Sequence, residues 1–490
     1  TQAKRDSNGF SDVIYADDIG KLPSQNLAES LNRIPGVKID RDVTGEGQQI
    51  SVRGLGPNFT KVVLNGTNLW SSSDGSLNST NRDRQVDLDF LPSELFTSLE
   101  VNKTPMAHQM EGGTSGYVDL RTARAFDNPG FHVRGGVEGA YTSIDEEVSP
   151  GGSFIVSNTF NDQFGLLFGA VVKNREYRVD GYETIGYSDS CIADYTDPPA
   201  NTNSNCAAGE GPGPGGAWYG RNHFMISPYA TADYVAAHPE LGLAVGDPID
   251  PVATSGISLE ALDRGILPYL GRGHFTWGDR DSISLLGSAE WKASDTLEFA
   301  VDVLYSELNK HFERVTTNNW GRRNWLHLDA AWIPEDLQYD ADNQIITSGR
   351  LYNSHLWVEQ RPYEEDFEFL SIMPSVSWDI SDALTMDLSA SYSDTSFYRS
   401  EITFNYLSPA TTVDFETIGD VGTFDYAVDV SSPDIAWVWN DVQNDQMRFR
   451  RNFRDTETMG VHLDFEYGDE PERNGLRWGL AYDEASRDMT

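Results

Sequence analysis

Four times after residue 130 the chain runs through a strand with an apolar residue at every second position, an aromatic, a short polar turn and another such strand. Phe154, Val156 and Phe160 lead into Asn161-Asp162-Gln163, and Phe164, Leu166, Phe168, Ala170 and Val172 lead out. Leu285, Ala289 and Trp291 reach Lys292-Ala293-Ser294-Asp295, followed by Leu297, Phe299, Val301, Val303 and Tyr305. Val376 and Trp378 precede Ser381-Asp382, with Leu384, Met386 and Leu388 beyond it. Phe465 and Tyr467 precede Gly468-Asp469, with Leu476, Trp478 and Leu480 beyond it. A period of two makes one face of each hairpin apolar and leaves the other wet, as Glu298, Asp302 and Ser306 show in one strand.

Soluble sandwiches alternate too, so alternation alone does not choose the solvent. The aromatic at nearly constant distance from each turn (Phe160, Trp291, Trp378, Tyr467) does. Amphipathic rings suit the membrane–water boundary, and outer-membrane barrels carry such girdles with short turns on one side and long loops on the other. Here most turns are three or four residues, while the alternate connections, about 178–280, 311–365 and 399–454, run to many tens. These long links are expected outside the cell. No stretch approaches the ~18 apolar residues of a membrane helix. A soluble, secreted β-rich adhesin or carbohydrate-binding protein is the competing class.

The formal net charge of −40 over 490 residues argues against nucleic-acid binding. It suits loops displayed to water, and it suggests cationic or neutral ligands over bare anions. Cys191 and Cys206, the only cysteines, lie close together in a Gly/Pro/Asn-rich link. They read either as a local disulfide of an oxidising compartment, contributing ~3 kcal/mol to loop order, or as two free thiols. No catalytic arrangement is present: G-x-S-x-G and H-E-x-x-H are absent and the nine histidines do not cluster. No cofactor or metal is implied, and spacing does not indicate calcium in the Asp-rich outer links.

Before residue 125 the punctuation differs. Ser24 is positioned to cap a short helix carrying Leu27, Leu31 and Ile34, which Pro35-Gly36 ends. Short strands follow around Val37–Asp40, Ile50–Arg53, Lys61–Leu64, Leu99–Val101 and Tyr117–Leu120, with a polar loop over about 67–85. Gly54-Leu55-Gly56 is not a dinucleotide loop, because Pro57 and a strand follow where a helix is needed. Residues 1–125 are thus a small α/β domain, and 126–490 a run of about nine barrel strands.

The stretches "LAESLNRIPGVKI", "ISVRGLGPNFTKVVLNGTNL" and "LFTSLEVNKTPMAHQMEGGTSGYVDLRT" resemble the plug domain of TonB-dependent outer-membrane receptors. They look closest to the Caulobacter-type subgroup often associated with sugar uptake. The hairpins resemble the family's barrel strands with periplasmic turns. The resemblance implies a plug followed by an incomplete transmembrane β-barrel, since such barrels close with about 22 strands. The start at Thr1 without Met and the outgoing strand at Met489-Thr490 suggest that both ends are cut, unless another chain completes the barrel; the resemblance places the TonB-contacting segment upstream of Thr1 and leaves an N-terminal signalling domain open. Arg53, Gly54, Gly66, Gly112 and Gly113 fall in the plug motifs; Asn58, Phe59, Trp70, Arg82 and Arg84 would be ligand contacts at the plug apices.

In the outer links, Trp320, Arg322, Arg323 and Trp325 combine rings that stack on sugar faces with side chains that hydrogen-bond hydroxyls. Packing within the loop is the plainer role for them; Trp218, Tyr219, Trp437 and Trp439 invite the same reading. The partners implied are TonB with its inner-membrane energising complex, outer-membrane lipid and a nutrient. A carbohydrate oligomer is the first expectation for that nutrient and a ferric siderophore the second.

Overall fold

The computed structural model describes residues 10–15, 26–42, 44–71, 85–104, 109–184, 186–192, 224–268, 271–319, 331–419, 421–439, 447–468 and 475–489. In the first part, β1 (Ser11–Tyr15), β2 (Val37–Arg41), β3 (Gly47–Val52), β4 (Thr60–Leu64), β5 (Thr67–Asn68), β6 (Phe96–Asn102) and β7 (Gly116–Thr122) form two sheets. A five-stranded sheet runs in the order β1-β6-β7-β4-β5, parallel only between β4 and β7, while β2 and β3 make a separate hairpin. Alternate residues Leu99 and Val101 of β6, and Val118 and Leu120 of β7, are buried against helix α1 (Leu27–Leu31) and Leu88. The helix cap is Asn26, whose side chain accepts from the Glu29 N–H at 3.1 Å, so the helix starts two residues later than a Ser24 cap implied. At Gly113 (φ +70°) an added Cβ would stand 2.5 Å from the Gly116 carbonyl and 2.7 Å from the Lys61 Cβ, so the turn into β7 admits only glycine.

The second part is one curved antiparallel sheet. Its strands are β8 (His132–Tyr141), β9 (Val148–Phe160), β10 (Phe164–Thr184), β11 (Gly271–Ser294), β12 (Leu297–Asn319), β13 (Trp357–Ser381), β14 (Leu384–Leu407), β15 (Met447–Tyr467) and β16 (Leu476–Met489). Each pairs with its neighbours in sequence, and the short strand Val438–Trp439 adds to β14. The girdle aromatics lie on the outer face. Phe160, Trp291, Trp378 and Tyr467 are between 41% and 55% exposed, so none is sealed between stacked sheets. They continue across strands as stacked rings: Phe164 on Trp291, Trp291 on Phe299 and Phe465 on Trp478.

The outward face of β10 reads Phe164, Leu166, Phe168, Ala170 and Val172, then turns polar at Asn174, Glu176, Arg178 and Asp180. On β11 it runs from Trp291 to Ile283, which pairs with Val172, and then to Asp281 and Asp279. The apolar band is therefore about nine residues tall, the length that crosses an outer-membrane hydrocarbon layer. β10 has 21 residues, roughly 70 Å of strand, so the wall continues far above the band. Phe168 sits at mid-band and is 47% exposed. Phe168→Arg is expected to destabilise the inserted protein by about 2–4 kcal/mol, while Asn174→Arg, above the band, changes little; urea titration in lipid vesicles separates the two.

Because the strands extend past the lipid, the connections are shorter than alternation within the band suggested: β10 reaches Thr184, β11 begins at Gly271, and β13 begins at Trp357. Nor are they loose. Ile333–Asp340, Ile345–Ser354, Thr411–Ile418 and Val421–Tyr426 pair into a four-stranded antiparallel sheet. Helices Ala232–Ala237, Pro251–Ser255 and Leu259–Arg264 come from the first connection. All three connections share one core of Phe224, Leu262, Trp332, Leu351, Val413 and Phe415, with Phe224 stacked on Trp332 at 4.6 Å.

Candidate functional site

The inner face of the wall meets the N-terminal domain through buried charges. The lower contact begins at a turn, Ala125–Asp127, fixed by the Asp127 carboxylate accepting from the Arg124 N–H at 2.8 Å. That geometry aims Arg124 at Asp302 of β12: Nη2 and Nε donate to its Oδ2 at 2.6 and 3.1 Å, and Asn65 Nδ2 adds a third donor at 3.3 Å. Asp302 is fully buried. Beside it the Phe126 N–H donates to Glu290 at 3.0 Å.

The upper contact is inverted, with acids on the domain and cations on the wall. Lys310 of β12 places Nζ 3.0 Å from both Asp42 and Asp89, and Glu46 is held between Arg175 and Arg280. Burial alone would push the Asp42 carboxyl up, but the Lys310 ammonium with the Thr44 hydroxyl holds it below its ordinary value. Asp87 lacks such a partner. Burial and the adjacent Asp89 carboxylate push it up to about 7, against Gln49, which donates to its Oδ1 at 2.7 Å, and against Lys310 and Arg454. These contacts are buried and charge-paired.

A raised folded value means that protons favour the docked state. The Asp87 contribution is fully present below its ordinary value of 3.8 and is lost as pH rises through about 7. Hydrogen exchange of the β3 and β6 amides is expected to speed up between pH 5 and 8 beyond its intrinsic rate, and Asp87→Asn is expected to flatten that excess; a wild-type protein without it contradicts the assignment.

About 13 Å above Lys310 along β12 lies a tier of arginines. Its ion pairs join five of them, Arg272, Arg314, Arg361, Arg448 and Arg450, to three glutamates, Glu183, Glu359 and Glu401, while the pair Arg399–Glu365 stands lower, in register with Lys310. Glu183 takes Arg272 at 2.5 Å and Arg314 at 2.6 Å; Glu359 takes Arg361 at 2.5 Å. Among the described residues guanidiniums outnumber carboxylates here, in a chain whose net charge is −40. The acids that dominate the total face outward, Glu176, Asp279, Asp281, Glu368, Asp394 and Glu457 among them. Net charge thus does not describe this inner tier, where guanidiniums and carboxylates pair.

Of the residues expected from sequence to touch ligand, Asn58 and Phe59 are exposed on the turn Pro57–Phe59. Trp70 is half-buried, its carbonyl accepting from Thr395 of β14 at 3.4 Å, well below the arginine tier. Trp439 stacks on Tyr406, on the outer face of β14 and away from the lumen. Arg53 and Gly54 (φ 57° and 77°) form the left-handed turn after β3; Gly66 and Gly112 also have positive φ. Arg82, Arg84, Trp218, Tyr219, Trp320, Arg322, Arg323, Trp325 and Cys206 lie outside the described residues, as does the Cys191 side chain, so the disulfide and the outer-loop contacts stay expectations.

Residues 3–118 match the family described as TonB-dependent Receptor Plug Domain. Over 206 residues the chain is 29% identical to a probable TonB-dependent siderophore receptor PirA of Acinetobacter baumannii, covering 41% of this chain and 25% of that protein. Over 185 residues it is 28% identical to a ferric enterobactin receptor of Pseudomonas aeruginosa, covering 36% and 23%. The matched region thus spans about a quarter of the length of these curated relatives. The crystal structure of BauA, the ferric preacinetobactin receptor of Acinetobacter baumannii, overlays with a TM-score of 0.40 at 11% identity, covering 99% of this chain and 59% of that one.

Proposed function

From the premise that this chain is the plug and part of the barrel of a TonB-dependent outer-membrane receptor, we propose that it serves uptake of a ferric siderophore, an anionic catecholate complex in particular. The inner arginine tier is the observation that carries this reading. A ferric tris-catecholate presents several anionic oxygens on one rigid body. Planar guanidiniums bind such oxygens in pairs, at lower desolvation cost than ammonium groups. A neutral oligosaccharide would leave the excess of guanidiniums over carboxylates uncompensated, which disfavours the sugar expectation. The named relatives are siderophore receptors, and the tier supports the same reading for this chain.

TonB, driven by its inner-membrane complex, is the proposed partner, and the two charged contacts between plug and wall are what its pull must part. In a strain lacking the receptor, uptake of radiolabelled iron from ferric enterobactin is expected to fall to background and to return with the gene. Unchanged iron uptake, with growth lost on an oligosaccharide instead, would restore the sugar reading.

A further inference from the structure

Glu359 is enclosed by three guanidiniums and an amide. It is 1% exposed, on β13, with Arg361 at 2.5 Å, Arg448 at 3.7 Å, Arg272 at 3.9 Å and the Asn318 amide donating at 3.4 Å. The register explains why a carboxylate is needed there. Arg314 of β12 and Arg361 of β13 are direct cross-strand partners on the inner face, and like charges so placed repel. Glu183 neutralises Arg314 from the β10 side, and Glu359 neutralises Arg361 from its own strand. The tier still carries spare donors: Arg314 Nε and Arg361 Nε are buried with no hydrogen-bond partner among the described residues. One carboxylate offers about four acceptor sites, fewer than the donors of the guanidiniums around it.

We infer that Glu359 is a tethered counter-anion that occupies the guest's place in the empty receptor and sets the charge a guest must carry. The inference rests on the siderophore reading. A carboxylate fixed to the wall competes at high effective concentration, so a single free anionic group cannot displace it. A rigid body bearing several anionic oxygens can, because it satisfies Arg361 and Arg272 together with the spare Nε donors. Glu359 is thus a specificity-determining residue: it screens guests by charge number, independently of their shape.

The test uses the full-length receptor in detergent, with trianionic ferric enterobactin and a monoanionic ferric complex as probes, each titrated by fluorescence quenching. Wild type is expected to bind the trianion at least about a hundredfold more tightly than the monoanion. Glu359→Gln is expected to tighten the monoanion about tenfold while changing the trianion less, so the ratio narrows. Glu359→Asp, which keeps the charge, is expected to hold the wild-type ratio. If wild type binds both probes equally, or if a folded Glu359→Gln leaves the ratio unchanged, the inference falls. Should Glu359→Gln fail to fold, the wild-type ratio still decides. If wild type binds neither probe, the siderophore reading itself falls, a separate outcome.

Discussion

Replacing Arg124 with alanine is expected to weaken docking of the plug in the barrel by about 3–5 kcal/mol, the usual consequence of removing one partner from a buried ion pair. Asp302 has no access to water, and Arg124 supplies two of its three donors. The remaining carboxylate would face only the Asn65 amide, a neutral donor. Most of the loss is therefore the stranded charge and not the attraction between the pair. The companion double variant Arg124→Leu with Asp302→Leu is expected to recover most of it, since an apolar pair of similar volume leaves nothing stranded. Hydrogen exchange of the plug amides, compared among wild type, single and double variants, checks both statements. Equal protection in wild type and Arg124→Ala would refute the first.

Lys310→Met makes the second large effect. Its ammonium stands between Asp42 and Asp89, and Asp87 lies close by. Without it three buried carboxylates share one region, with Arg280 committed to Glu46 and the Asp89 carbonyl. A loss of about 3–5 kcal/mol in docking is expected at neutral pH. It also acquires a sign with pH. Asp42, now held below its ordinary value by Lys310, would rise, so protonation of this cluster favours the docked plug. The variant should approach wild-type protection in acid and lose it as pH climbs, and Asp89→Asn on top of it should restore part of the loss. A Lys310→Met protein that releases its plug no faster than wild type at pH 8 would show the cluster to be incidental.

The barrel wall was readable because two signals coincide in it. Alternation assigned Leu166, Phe168 and Val172 to one face, and the girdle rings Trp291 and Trp378 marked where that face leaves the lipid. The plug was readable from its glycine turns, since Gly54 and Gly113 take backbone angles that other residues resist. The arginine tier was missed for a reason that can be named. Arg272, Arg314 and Arg361 keep the inward parity of their strands, but they lie beyond the apolar band, where alternation between polar residues leaves no contrast to see. Carrying parity upward from Ile283 and Tyr305 would have found them. The charged contacts between plug and wall join residues such as Asp42 and Lys310, 268 positions apart, for which a single sequence holds no signal.

The mini-domain above the wall has a practical meaning for anyone redesigning the receptor. Trp332 from the second connection is packed on Phe224 from the first, and Val413 from the third completes the same core. Swapping one surface loop for that of another receptor would leave the other two with an unfilled interior. The three connections fold as one module, to be exchanged whole or not at all.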